Sequence, residues 1–115
     1  YGENIFENGK IIKNTYIDAK NGNEIKYNSW DSTDFINVEG YHRVVISYDG
    51  TSPVNSYSAM YDSKKKYVSK ISVDVSTIDL EKGKIVILRI PENVKYIRLS
   101  KNSGTLDNIK VLFTG

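Results

Sequence analysis

No stretch of this chain sustains a helical period. Short runs of β-branched and aromatic residues recur instead, each cut by Asn, Gly, Asp or Ser, and that rhythm restricts the fold more than any other feature. Residues 15–18 and 24–28 flank Asn21-Gly22, a strong hairpin signal because both types tolerate positive φ. Residues 35–38 form the next run, and Glu39-Gly40 turns the chain into residues 41–48. There the alternation sets His42, Val44, Ile46 and Tyr48 on one face, with Tyr41, Arg43, Val45 and Ser47 on the other. Residues 57–61 and 67–73 are expected to pair around a lysine-rich turn. Residues 76–80 read as one helical turn, capped by Ser76 with Asp79 three positions on. Residues 84–90 are apolar on both faces in their middle and suit a central strand, which Pro91 ends because it cannot donate to a ladder. Residues 95–101 and 108–113 complete the set, separated by Ser103-Gly104. About eight or nine strands, with turns roughly every 8–12 residues, imply an all-β sandwich or barrel.

A length of 115 residues suits a single domain over 1–115, and the start at Tyr1 suggests a piece of a longer polypeptide. At 39% hydrophobic residues the chain can fill one core. It has no cysteine, which excludes disulfides, thiolate metal sites and cysteine nucleophiles. The net charge of +2 is spread along the chain, and the basic run Lys64-Lys65-Lys66 reads as a solvated hairpin tip, so no nucleic-acid partner is expected. No apolar stretch approaches the roughly 18–20 residues that cross a bilayer, so no membrane partner is expected either.

Trp30, the only tryptophan, lies in the polar run Tyr27-Asn28-Ser29-Trp30-Asp31-Ser32, read as a loop. An indole there can offer a flat apolar face while Asn28, Ser29 and Asp31 supply directional hydrogen bonds. Sugars are held by that combination, because a pyranose has an apolar C–H face and a rim of hydroxyls. The alternative is a tryptophan folded back as a lid over the core. Arg98 stands on the strand face opposite Ile97 and Leu99, where its fork suits hydroxyls or a carboxylate, or a surface acid. Tyr61-Asp62 is an aromatic–acid pair at a turn, suited to ligand contact or to packing at the rim. Tyr16 and Tyr27 read as cross-strand packing partners around the first hairpin.

Catalysis is not expected. His42, the single histidine, is in phase with Val44 and Ile46 and has no serine or carboxylate at motif spacing. Asp31 and Asp34 lack an evident partner across a cleft, as glycoside hydrolysis requires. No cofactor is implied; Asp49, Asp62 and Asp107 leave room for a structural calcium, without the dense run of oxygen ligands that would mark one.

The order of fragments is Asn4-Ile5-Phe6, Thr15-Tyr16-Ile17-Asp18, the Trp30 run into Phe35-Ile36-Asn37-Val38, Met60-Tyr61-Asp62-Ser63-Lys64, then Lys95-Tyr96-Ile97-Arg98. It resembles the small carbohydrate-binding-module-like jelly-roll domains of tail fibre, baseplate and receptor-binding proteins of phages and prophages of Gram-positive bacteria. Asn37 stands where that pattern has proline, and Met60 where it has an aromatic. The resemblance implies a two-sheet antiparallel β-sandwich that recognises a host cell-wall glycan or teichoic acid, on a virion tail or a cell surface. Within a fibre, it allows a homotrimer. Carried over by position, it sets the Trp30 loop (Asn28, Ser29, Asp31), the Tyr61-Asp62 turn and the Arg98 strand around the sugar site. Two other readings stay open: a ligand-free spacer or oligomerisation domain, and an accessory module of a secreted wall hydrolase or glycosidase.

Overall fold

The alternating and β-branched runs become strands throughout. The computed structural model describes residues 4–6, 9–50, 52–54, 56–71, 73–80, 83–102 and 109–113. Among them the regular elements are β1 (Ile11–Ile17), β2 (Glu24–Thr33), β3 (Ile36–Asn37), β4 (Arg43–Tyr48), β5 (Ala59–Tyr61), β6 (Tyr67–Lys70), β7 (Val73–Leu80), β8 (Gly83–Arg89), β9 (Tyr96–Arg98), β10 (Ser100–Asn102) and β11 (Lys110–Phe113). Three antiparallel sheets result, in the orders β1-β2-β10, β11-β4-β8-β7 and β3-β9-β5-β6. The chain is all-β.

The described strands number eleven, above the expected eight or nine, because residues 95–101 divide between two sheets and residues 73–80 form a strand where a helical turn was expected. Residues 95–101 read as one strand, yet β9 joins β5 while β10 joins β2, and the chain changes sheets at Leu99. Thr33 guides that crossing. Its N–H donates to the Leu99 carbonyl at 2.9 Å, and its hydroxyl oxygen accepts the Leu99 N–H at 3.0 Å.

Both four-stranded sheets feed one buried cluster. Val44, Ile46, Tyr48, Val86, Leu88 and Val111 come from the first, and Ile36, Met60 and Ile97 from the second. Each such side chain contributes about 1.5–3 kcal/mol on burial. β8 lies between β4 and β7, as its doubly apolar middle predicts. Val45, on the face of β4 opposite Val44 and Ile46, is equally buried, so β4 is covered on both sides at its centre. At the amino end, the Asn4 side-chain oxygen accepts the N–H groups of Phe6 and Val111, both at 3.1 Å. That pins the segment along β11 and plugs Phe6 into the core.

Two local expectations are corrected. Residues 76–80 are extended within β7, not a helical turn: Val75 pairs with Ile87 and Ile78 with Ile85, and register shifts between these pairs accommodate the extra residues. Pairing with a central strand outweighs a single capped turn, which closes few hydrogen bonds of its own. The first hairpin exists, but its connection is wider than a two-residue turn. Ile17 pairs with Glu24, and the Asp18 carbonyl accepts the Gly22 N–H at 2.6 Å, with positive φ (75°) at Gly22 and not at Asn21. The Ser103-Gly104 turn lies outside the described residues.

Candidate functional site

The β1–β2 ladder breaks where the polar run begins. Lys13 pairs with Asp31 and Thr15 with Lys26, so residues 27–30 stand opposite Asn14 alone. Four residues against one force an outward bulge. Left-handed φ values at Asn14 (55°) and Ser29 (70°) make the two bends. Asp31 holds the base of the bulge: its carboxylate accepts Lys13 Nζ at 3.0 Å and the Asn14 N–H at 3.4 Å. Trp30 is therefore on a strand, where the sequence suggested a loop, and it pairs with Asn102 of β10.

The bulge gathers aromatic rings. The Tyr16 ring meets those of Tyr27 (5.9 Å between centroids), Trp30 (6.0 Å) and Tyr57 (4.8 Å), and Trp30 meets Tyr57 at 4.6 Å, all edge-to-face. Such pairs stabilise one another by about 0.5–1.5 kcal/mol beyond their burial. The cluster is nevertheless wet: Tyr27 is 59% and Tyr57 37% exposed, and Trp30 is half-buried. Next to it lies an open groove of about 900 Å³, lined in part by Lys13, Asn14, Glu24, Lys26, Tyr27 and Asn28. Tyr27 belongs to both the groove and the ring cluster. Apolar ring surface thus adjoins carboxamide, ammonium and carboxylate groups.

The other expected site residues lie elsewhere. Tyr61 and Arg98 are buried at 2% and 5% exposure. Arg98 Nε donates to the Thr33 carbonyl at 2.9 Å, its Nη2 reaches Glu24 Oε1 at 3.3 Å, and its guanidinium lies over the Phe35 ring at 4.8 Å. Tyr61 packs edge-to-face on Phe35, and its hydroxyl donates to the Gly22 carbonyl at 2.7 Å. Burial pushes the Tyr61 phenol up to about 12, with the Arg98 charge and hydrogen bond pulling the other way. These two side chains meet each other, and among the described contacts none joins either to Trp30. Their chemistry is absorbed in locking the first hairpin onto β5 and β9.

Asp62 accepts the backbone N–H groups of Lys64 (2.8 Å) and Lys66 (3.0 Å), which close the lysine turn. Those bonds, Lys66 first, hold its carboxyl below the usual range. Asn28 and Ser29 are exposed on the bulge beside Trp30, whereas Asp31 is buried beneath it. Among the described residues no three acidic or imidazole side chains gather as a metal site, and Asp107 of the calcium trio lies outside them.

Tyr57 is the ring that sequence reading passed over, and Tyr16 and Tyr27 pack on each other as expected while Tyr16 also touches Trp30 and Tyr57. The pairing of Tyr16 and Tyr27 across Asn21-Gly22 was legible as a cross-strand contact. Nothing local to Tyr57 signals that it folds onto Trp30. The chain matches no family model, no curated protein and no solved structure.

Proposed function

We propose that this chain is a non-catalytic carbohydrate-binding module, built as a two-sheet jelly-roll β-sandwich, which receives a saccharide on the rings of Tyr16, Tyr27, Trp30 and Tyr57. The observation that carries the reading is a water-exposed ring cluster beside a groove lined by Asn14, Asn28, Lys26 and Glu24. Large apolar rings left in water at one place usually meet a partner. Ring faces would take the C–H face of a pyranose, and the groove groups would take its hydroxyl rim.

Affinity in such an open site is weak, about millimolar to micromolar, or roughly −4 to −8 kcal/mol. Several copies on one fibre would raise avidity by about 10²–10⁴ without a new contact. That logic agrees with the resemblance to phage-type receptor-binding domains: a cell-wall glycan or teichoic acid of a Gram-positive host as ligand, a homotrimeric fibre as carrier, and action outside the cell. The same exposed rings also favour a second reading, a spacer in which Tyr27 and Tyr57 meet another copy of the chain.

Pull-down of the chain on purified Gram-positive cell-wall polysaccharide, combined with sizing by light scattering, separates the two. The glycan reading expects retention that falls at least tenfold in Trp30→Ala and Tyr27→Ala, with a monomer in both. Retention untouched by either substitution removes the ring cluster from the site. Loss of an oligomer in Tyr27→Ala, without any glycan retention in the parent chain, favours the spacer.

A further inference from the structure

We infer that the notch between Phe35 and Tyr96 is a binding site for a quaternary ammonium group, which the chain keeps closed with its own Lys65. The two rings stand nearly at right angles (80°), with centroids 5.8 Å apart. Lys65 Nζ lies over both, 5.1 Å from the Phe35 centroid and 5.3 Å from that of Tyr96. The walls are firm. Both rings pack against the buried Ile17, Ala59 and Tyr61, and Tyr61 meets Phe35 edge-to-face at 4.8 Å. Neither ring is fully covered, each being half-buried.

The spacing selects the ligand. A methyl group between nitrogen and ring needs a C–N bond of about 1.45 Å and a carbon–carbon contact of about 3.5–4.0 Å. Together these set the nitrogen about 5 Å from each ring. Two perpendicular rings at that distance touch a methylated cation on two sides, and their quadrupoles attract its charge. An unmethylated ammonium leaves that space unfilled and gives up strong hydration to enter it.

Stability does not explain the lysine. Lys65 is exposed, with a left-handed φ of +62°. An exposed cation–π contact is worth less than that backbone costs a residue with a side chain. The turn closes without the ammonium: the Lys65 N–H donates to the Asp62 carbonyl at 2.9 Å, and Asp62 Oδ1 accepts the N–H groups of Lys64 and Lys66. Lys65 can therefore swing into water and leave the turn intact. Arg98, also over Phe35, is buried and paired with Glu24 at 3.3 Å, so the notch has room for one further cation and the ligand displaces Lys65. Asp34, whose Oδ1 accepts the Phe35 N–H at 2.8 Å, places a carboxylate beside the site. None of these residues belongs to the ring cluster around Trp30, so the inference stands apart from the glycan reading.

The test is an amide-resolved NMR titration of the whole chain with tetramethylammonium chloride, against potassium chloride at matched ionic strength. Saturable shifts confined to residues 34–36, 61–66 and 95–97 are expected, with no such response to potassium. Lys65→Gly removes the competing ammonium, suits the left-handed backbone, and should bind at least fivefold more tightly than the parent chain. On that background Tyr96→Leu keeps apolar bulk, loses the ring face, and should weaken binding at least tenfold. Tyr96→Phe retains both ring and binding, which separates loss of the face from loss of the fold. Choline and Nε-trimethyl-lysine amide, titrated into Lys65→Gly, assign the group by the tighter of the two to a small amino-alcohol head group or to a methylated side chain. Shifts centred on Tyr27 and Trp30 instead, equal response to potassium, unchanged affinity in Lys65→Gly, or full binding in Tyr96→Leu each overturn the inference.

Discussion

Gly22 offers a way to measure how tightly the first hairpin is locked to its neighbours. Its φ is +75°, and a Cβ built on it would lie 2.8 Å from a Tyr67 ring carbon and 2.9 Å from a Tyr61 ring carbon. Neither ring can step aside easily. The Tyr61 hydroxyl donates to the Gly22 carbonyl, and the Tyr67 hydroxyl donates to the Ala19 carbonyl at 2.6 Å. Gly22→Ala therefore carries two costs: about 1–2 kcal/mol for a left-handed residue with a side chain, and about 1–3 kcal/mol for overpacking. Gly40→Ala supplies the control, because Gly40 has φ +88° but open space around it, so only the first cost applies. Urea denaturation should lower stability by about 2–5 kcal/mol for Gly22→Ala and about 1–2 kcal/mol for Gly40→Ala, by midpoint shifts at constant slope. At roughly 4 °C per kcal/mol for a domain of this size, the first should melt about 8–20 °C lower. Equal losses in the two variants would refute the contact between Gly22 and the tyrosine rings.

Tyr61 should add an alkaline limb to stability. Its phenol is raised to about 12 in the folded state, so its contribution is complete below pH 10 and falls as pH climbs from 10 towards 12. The full loss is about 2–3 kcal/mol, read as the part of the urea-midpoint decline that Tyr61→Phe abolishes. Arg98→Met keeps a side chain over Phe35 but strands the Thr33 carbonyl, and should cost about 2–3 kcal/mol by denaturation. Glu24→Gln should cost under about 1 kcal/mol, because the Glu24 side chain is 39% exposed and water screens its pairing. The reverse order would show that the ion pair, and not the bond to Thr33, holds Arg98. Acrylamide should quench Trp30 fluorescence partially, and Tyr57→Ala should increase that quenching, since the Tyr57 ring covers the indole; an unchanged quenching constant would contradict that packing.

Much of the strand pattern was legible because it follows from local chemistry. The alternation from Val44 to Tyr48, the doubly apolar middle of β8 and the pairing around the lysine turn all appear where the sequence predicts them. Residues 76–80 misled because a capping pattern is a local preference, and a partner strand remote in sequence overrode it. Arg98 misled for a related reason. Strand alternation placed it opposite Ile97 and Leu99, but the opposite face is covered by the β1–β2 hairpin, so all three are buried. Trp30 was legible as an indole among polar neighbours; its company of Tyr16, Tyr27 and Tyr57 was not.

By itself the sequence determined that this chain builds sheets, where most of its strands run and that its indole sits among hydrogen-bonding groups, because period, turn residues and side-chain chemistry act over a few neighbours. Only the tertiary structure decided which rings stay wet and which charges stay dry. Exposure depends on what another strand lays over a face. The bulge at Asn14 turns Tyr27 and Trp30 outward, the hairpin seals Tyr61 and Arg98 inward, and a shared rung brings Arg43 to Arg89 across 45 intervening positions of chain.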